Sequence, residues 1–179
     1  MAVHTSNTPG EYKDSWQTPE WLFTALDLEF GFYLDAAASD INALCSRYLT
    51  EQDDALKSEW VSHGAIWCNP PYSNIRPWVE KAAEQSRMQN QPVVMLVPED
   101  MSVGWFLEAL KTVDEIRVIT GGRINFVNPV TGEEKKGNSK GSMFLIWRPF
   151  ITPHRLPSFA LKQDLESIGN QYLAEVRAA

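Results

Sequence analysis

The stretch Ala65-Ile66-Trp67-Cys68-Asn69-Pro70-Pro71-Tyr72 decides how the rest of the chain is read. Its first four residues form an apolar run of the kind buried on both faces of a parallel sheet. The prolines then stop it. A proline ring fixes φ, and the residue before a proline is pushed toward extended geometry, so Asn69 and Pro70 are both held open and cannot wind into a helix. Prolines have no N–H, so no internal bond competes for the exposed carbonyl of Pro70. The octapeptide therefore predicts a strand ending in a rigid corner that displays an amide, a carbonyl and an aromatic ring.

Those groups suit methyl transfer to an exocyclic amine. The nitrogen of an adenine amino group is a poor nucleophile because its lone pair is conjugated into the ring. A site that offers acceptors to both N–H bonds turns the lone pair toward an incoming methyl group as the nitrogen goes from planar to tetrahedral. The side-chain oxygen of Asn69 and the carbonyl of Pro70 are candidates for those acceptors, with Pro71 stiffening the corner. Tyr72 offers a flat face for a base taken out of its stack, a contact worth roughly 1–3 kcal/mol. The structural alternative is a Pro-Pro turn capped by Asn69 and buttressed by Tyr72.

Upstream, Thr18-Pro19-Glu20 predicts a helix start: Thr18 as cap, Pro19 at the first helical position, and Glu20 where the macrodipole favours an acid. Trp21, Leu22, Ala25, Leu26 and Leu28 form the expected apolar face, and Gly31 ends the segment. Residues 32–37 read as a strand running into a small-residue turn, followed by a less regular stretch to Trp60. Downstream, a helix over 77–90 carries Trp78, Val79, Ala82 and Ala83 on one side. Residues 92–98 read as a buried strand, and 103–110 as a helix capped by Asp100. Residues 115–120 read as a strand that Gly121-Gly122 punctuates and 123–127 extends. Residues 128–138 are a polar loop and 142–147 the last strand, expected to be antiparallel. Such alternation implies one doubly wound α/β sheet, mostly parallel, with ligands at the carboxyl ends of its strands, where Asp35 and Asn69 both fall.

With 179 residues, 44% of them hydrophobic, the chain is long enough for one compact domain. The expected organisation is a flexible tail over 1–13, a catalytic domain over 14–150, and a connector and helix over 151–179. The stripe Leu161, Leu165, Ile168, Tyr172 and Val176 would pack that helix on the same domain. No apolar run approaches the roughly 20 residues that cross a bilayer, and the N-terminus has no basic segment followed by an apolar one. A soluble, cytoplasmic protein is expected. Cys45 and Cys68 form no disulfide framework, and His4, His63 and His154 show no metal-ligand spacing, so no metal is expected. The net charge of −7 is unevenly spread. Residues 111–148 hold seven basic side chains (Lys111, Arg117, Arg123, Lys135, Lys136, Lys140, Arg148) against Asp114, Glu115, Glu133 and Glu134. A phosphate-facing surface is expected in this later segment.

Over residues 15–147 the chain resembles the phage-type DNA N6-adenine methyltransferases (Dam-like), within the Rossmann-like class I enzymes that depend on S-adenosylmethionine. The resemblance rests on Trp16-Gln17-Thr18-Pro19, on Phe32-Tyr33-Leu34-Asp35-Ala36-Ala37-Ala38-Ser39 and on Asn42-Ala43-Leu44-Cys45. Asp54-Ala55-Leu56, Asn69-Pro70-Pro71-Tyr72-Ser73 and Gly121-Gly122-Arg123-Ile124-Asn125-Phe126 complete it. It implies DNA as partner, S-adenosylmethionine as cofactor and an origin in a phage or prophage within a bacterial host.

The resemblance also implies roles. Asp35, Ala36 and Ala37 match the cofactor turn, with alanines where the class has glycines, and Trp16, Gln17 and Thr18 match an opening motif beside the cofactor. Asp53 and Asp54 are candidates for the cofactor's nucleoside end, Asp54-Ala55-Leu56 being similar to an adenine-binding motif. The short separation of Asp35 from Asn69 means that the second and third strands are abbreviated, and leaves the acid for the ribose unassigned. On a physical case of its own, two preceding glycines that allow close backbone approach, Arg123 is a candidate for a phosphate beside the flipped nucleotide. Phe126 is a candidate for the face of the base opposite Tyr72, or else a core residue, and the loop bearing Lys135, Lys136 and Lys140 is a candidate for reading the target. The same corner chemistry also serves cytosine N4, an RNA adenine or a protein glutamine. A DNA-binding relative without turnover is the reading from another class.

Overall fold

The computed structural model describes residues 16–128, 130–150 and 157–179. The tail expected over 1–13 and most of the connector after Pro149 lie outside the described residues. Helix α1 (Glu20–Phe30) leads to strand β1 (Phe32–Asp35), and β2 (Arg47–Tyr48) is followed by a short 3-10 turn at Glu51–Asp53. Then come β3 (Ala65–Cys68), α2 (Arg76–Gln89), β4 (Val93–Pro98), α3 (Gly104–Ala109), β5 (Glu115–Thr120), β6 (Phe126–Val127) and β7 (Glu134–Lys135). The chain closes with β8 (Ser142–Trp147), β9 (Ser158–Leu161) and α4 (Lys162–Ala178). Among the described residues the main sheet has seven strands in the order β2-β1-β3-β4-β8-β5-β9, and β6 and β7 form a separate hairpin.

Both faces of this sheet are buried, as the apolar runs require. Along β3, β4 and β8 alternate side chains face opposite layers. Ile66, Cys68, Val93, Met95, Leu145 and Trp147 pack toward Val79 and Ala82 of α2 and Phe106 of α3. Trp67, Val94, Leu96, Phe144 and Ile146 pack toward Leu22, Phe23 and Leu26 of α1 and Leu165 of α4. Each fully buried side chain of this size contributes roughly 1.5–3 kcal/mol. The result is a three-layer α/β/α arrangement of the Rossmann-like kind.

Several local expectations are corrected. Helix α1 begins at Glu20, and Pro19 (φ −57°, ψ 137°) is its cap, so Thr18 does not cap it. The carbonyl of Pro19 takes the N–H groups of Leu22 and Phe23 instead. Leu28 is exposed, while Phe23 and Thr24 join the buried face. Helix α3 starts behind Val103, and Asp100 closes the preceding turn on Ser102. Residues 123–127 do not extend β5: Gly121 (φ 82°) and Gly122 (φ 150°) turn the chain out of the sheet, and Phe126 and Val127 pair with Lys135 and Glu134.

The antiparallel strand is β8, but it is neither last nor at an edge. It lies between β4 and β5, antiparallel to both, and β9 follows it to pair parallel with β5. Helix α4 lies against α1 through Leu165 and Gly169, so the five-residue apolar stripe is not its buried face. Ile168, Tyr172 and Val176 are exposed, and Leu161 belongs to β9. No described helix is long and apolar enough to cross a membrane.

Candidate active site

Strands β1 to β5 end at one edge of the sheet, and the loops leaving β1 and β3 diverge there. The first runs toward β2 on one side, the second through α2 toward β4 on the other. Such a divergence opens a crevice at the strands' carboxyl ends. Here it is a cleft of about 570 Å³. Ala36, Ala37, Ala38 and Asn42 line one part, Thr50, Glu51, Asp54, Ala55 and Leu56 another, and Asn69, Pro71 and Trp78 a third.

The corner itself is open to that cleft. Asn69 is half-buried, and its Nδ2 donates to the main-chain carbonyl of Trp16 at 3.2 Å. Pro70 is buried, whereas Pro71 and Tyr72 are half-buried. The Tyr72 hydroxyl turns inward and donates to the Leu96 carbonyl at 3.4 Å. Burial, with the neighbouring Cys68 adding to it, pushes that phenol well above its ordinary range, so it stays a neutral donor.

Phe126 does not face Tyr72 across a slot. The two rings meet edge to face, with centroids 6.2 Å apart and planes at 87°, and Phe126 is buried in the layer beneath α1. Perpendicular rings cannot be the two parallel walls of one slot, so Phe126 packs against Tyr72 rather than sandwiching a base with it.

Asp35 shapes the cofactor turn from below. It is only 3% exposed, and its two carboxylate oxygens accept from the backbone N–H groups of Ala37 (3.3 Å) and Leu44 (3.2 Å). Burial raises its pKa to about 6, and the two backbone bonds oppose that rise. Ala36 N–H donates to Trp67, Ala38 N–H to Leu49, and Leu49 N–H to Asp35, tying the turn to both flanking strands. The alanines, not the acid, line the cleft.

The nucleoside-end candidates separate. Asp53 is absent from the cleft lining: its carboxylate accepts from the N–H and hydroxyl of Thr50, at 2.7 Å each, and closes a capping box on the short turn. Asp54, with Ala55 and Leu56, does line the cleft, its carboxylate paired with Lys57 at 2.6 Å. Among the cleft residues that escaped the sequence reading are Glu51 and Trp78. Glu51 follows β2, a two-residue strand too short to show periodicity, although the Thr50-x-x-Asp53 box marks the turn that carries it. Trp78 reads as core of α2, yet it is half-buried at the helix start beside the corner, its ring 6.3 Å from that of Trp60.

Trp16, Gln17 and Thr18 sit beside the corner, not along the cleft. Trp16 reaches Asn69, Gln17 pairs with Val127 of the hairpin, and Thr18 is 1% exposed with no hydrogen-bond partner for its Oγ1. The basic segment is also divided. Arg117 and Arg148 bind Glu29 and Glu115 at the opposite edge of the sheet, Lys111 pairs with Glu108, and Lys140 pairs with Asp100. That pairing and the Ser102 contacts hold the Asp100 carboxyl down at about 2. On the site side, Arg123 donates to the Asn138 carbonyl at the base of the hairpin, Lys135 lies over the Trp16 ring at 4.9 Å, and Lys136 is exposed. Among the described residues no group of three or more His, Cys, Asp or Glu could hold a metal ion.

Comparison with known proteins meets this geometry. Residues 5–172 match the family model described as DNA N-6-adenine-methyltransferase (Dam). The chain is 38% identical over 165 residues to the DNA N-6-adenine-methyltransferase of Haemophilus phage HP1, spanning 91% of this chain and 92% of that protein. It is 37% identical over 158 residues to the protein of the same name from Escherichia phage T1, spanning 80% and 66%. The matched span contains the alanine turn, the cleft and the proline corner alike, and the chain belongs to the DNA N-6-adenine-methyltransferase (Dam) family.

Proposed function

We propose a division of labour for the methylation of adenine in DNA that this family performs: the cleft holds S-adenosylmethionine, and the corner receives the target amine. The lining suits that cofactor. It includes the carboxylates Asp40, Glu51 and Asp54 and no lysine or arginine, which favours a ligand carrying a positive sulfur, and Ala36 to Ala38 allow close backbone approach. Its volume falls in the range of small-molecule sites. When bound, S-adenosylmethionine supplies a methyl group on a cationic sulfur, an activated leaving group. Glu51, in the turn directly after β2, is assigned to the ribose hydroxyls, Asp54-Ala55-Leu56 to the adenine, and Trp78 offers an indole face beside them.

The protein's own contribution to the reaction is positioning and electrostatics. Asn69 Oδ1 and the Pro70 carbonyl accept from the two N–H bonds of a flipped adenine and so direct its lone pair. Tyr72 stacks the base. The nitrogen becomes acidic once it carries a fourth substituent, so its proton leaves without a strong base, which fits a neutral amide at this position. Arg123, Lys135 and Lys136 are assigned to phosphates.

The observation that carries this reading is one cleft lined by both the alanine turn and Asn69. Asn69→Ala should lower kcat by more than about a hundredfold and leave cofactor affinity, measured by calorimetry, within about threefold. Parallel loss of both makes Asn69 structural. Labelled DNA digested to nucleosides should carry the methyl on adenine.

A further inference from the structure

We propose that the main-chain carbonyl of Trp16 is a positioning group for Asn69, and that the β6–β7 hairpin keeps that carbonyl in place. The inference rests on Asn69 being the acceptor for the target amine. An asparagine amide has two ends of nearly equal shape, one an acceptor and the other a double donor. Turned the wrong way, it meets an amino group donor against donor. In this chain the ambiguity is removed. A carbonyl oxygen only accepts, so the group 3.2 Å from Trp16 O is the Nδ2 donor, and Oδ1 is left as the opposite end of an amide that lines the cleft.

The Trp16 carbonyl comes from 53 positions upstream of Asn69, so the local geometry of the proline corner does not by itself bring it there. The hairpin does. Gln17 and Val127 exchange both backbone hydrogen bonds at 2.9 Å, and the Lys135 ammonium lies 4.9 Å above the Trp16 ring. Val127 and Lys135 belong to the two paired strands of that hairpin. The element that carries the candidate phosphate contacts is thus the one that fixes the catalytic amide.

This also accounts for asparagine over aspartate. A carboxylate accepts from an amine as well as an amide does, but it has no hydrogen for the Trp16 carbonyl and would set oxygen against oxygen. The defect of Asn69→Asp then lies in Trp16 and not in the methyl transfer.

The test replaces Gln17 by its α-hydroxy acid analogue through nonsense suppression. The Trp16–Gln17 peptide becomes an ester, so the Trp16 carbonyl is a weaker acceptor and the Gln17 N–H that donates to Val127 is lost; both changes loosen the hold of that carbonyl on position 69. In the protein with Asn69 this should lower kcat about tenfold, with KM for DNA and cofactor affinity held within about threefold. In Asn69→Asp, which should start at least about a hundredfold down, the same ester should raise kcat, because it weakens the repulsion. Effects of opposite sign support the proposal; effects of the same sign, or none, overturn it. Should Asn69→Ala methylate at the wild-type rate, the acceptor reading itself fails. If the ester chain does not fold, the wild-type protein labelled with nitrogen-15 answers instead. The Asn69 side-chain amide should exchange with solvent about tenfold more slowly than that of exposed Asn90, and equal exchange overturns the proposal.

Discussion

Phe126 braces Tyr72 edge to face, ring centroids 6.2 Å apart and planes at 87°. The contact ties the hairpin to the corner, since Phe126 starts β6 and Tyr72 ends the proline turn. Phe126→Ala should cost about 3–5 kcal/mol of stability, as a buried phenylalanine does, and Phe126→Leu under about 1.5 kcal/mol. Chemical denaturation measures both. The Leu variant should still quench 2-aminopurine placed at the target adenine; lost quenching would make Phe126 a direct stacking partner.

Asp35 predicts a pH dependence of unusual sign. Its folded pKa is raised from 3.8 to about 6, so it keeps its proton while the unfolded chain releases it. Its contribution to stability is complete below about pH 4 and is lost as pH rises through about 6, a total on the order of 3 kcal/mol. Urea unfolding of the wild type and Asp35→Asn between pH 4 and 6.5 isolates it, because the other carboxylates cancel in the difference. The wild type should lose stability relative to the variant as pH rises; a constant difference would remove Asp35 from the account.

Gly169 is where α4 crosses α1. A Cβ added there would lie 2.0 Å from the Trp21 carbonyl oxygen, which is backbone and cannot swing aside. Gly169→Ala should destabilise by about 1–3 kcal/mol, a fall of several degrees in melting temperature for a chain of this size. Gly104→Ala, where nothing lies within 4 Å, is the control and should not lower the melt; the reduced backbone entropy of its unfolded chain should raise stability by about 0.4–1 kcal/mol.

The basic residues should divide by function. Arg123→Ala and Lys136→Ala should weaken DNA binding and each reduce the salt slope by about one. Arg148 is bound to Glu29 and Glu115 and lies 4.4 Å over the Phe30 ring. Arg148→Ala should lower stability and leave DNA affinity alone. Fluorescence anisotropy across a salt series separates the two groups.

Glu51→Gln tests the cofactor end. Losing the charge while keeping the shape should weaken S-adenosylmethionine binding about tenfold, read by calorimetry, and spare DNA affinity. Asp53→Asn should weaken cofactor affinity less, by under about threefold, because it only loosens the turn that carries Glu51.

Much of this molecule was legible in linear order because the causes are local. Prolines fix Asn69 and Pro70 wherever the corner lies, and runs such as Val93 to Val97 demand burial on both faces. From those came the strand, the corner and the layered α/β architecture, while the family came from the resemblance of motifs spread over residues 15–147. Other features depend on groups far apart in the chain, which periodicity cannot report. The insertion of β8 between β4 and β5, the seat of β9, the turning of Phe126 against Tyr72, the sorting of arginines into opposite edges and the meeting of Trp16 with Asn69 are all of this kind. Each is a choice among partners of equal local merit, and packing makes it by which pairing leaves the fewest buried groups unmatched.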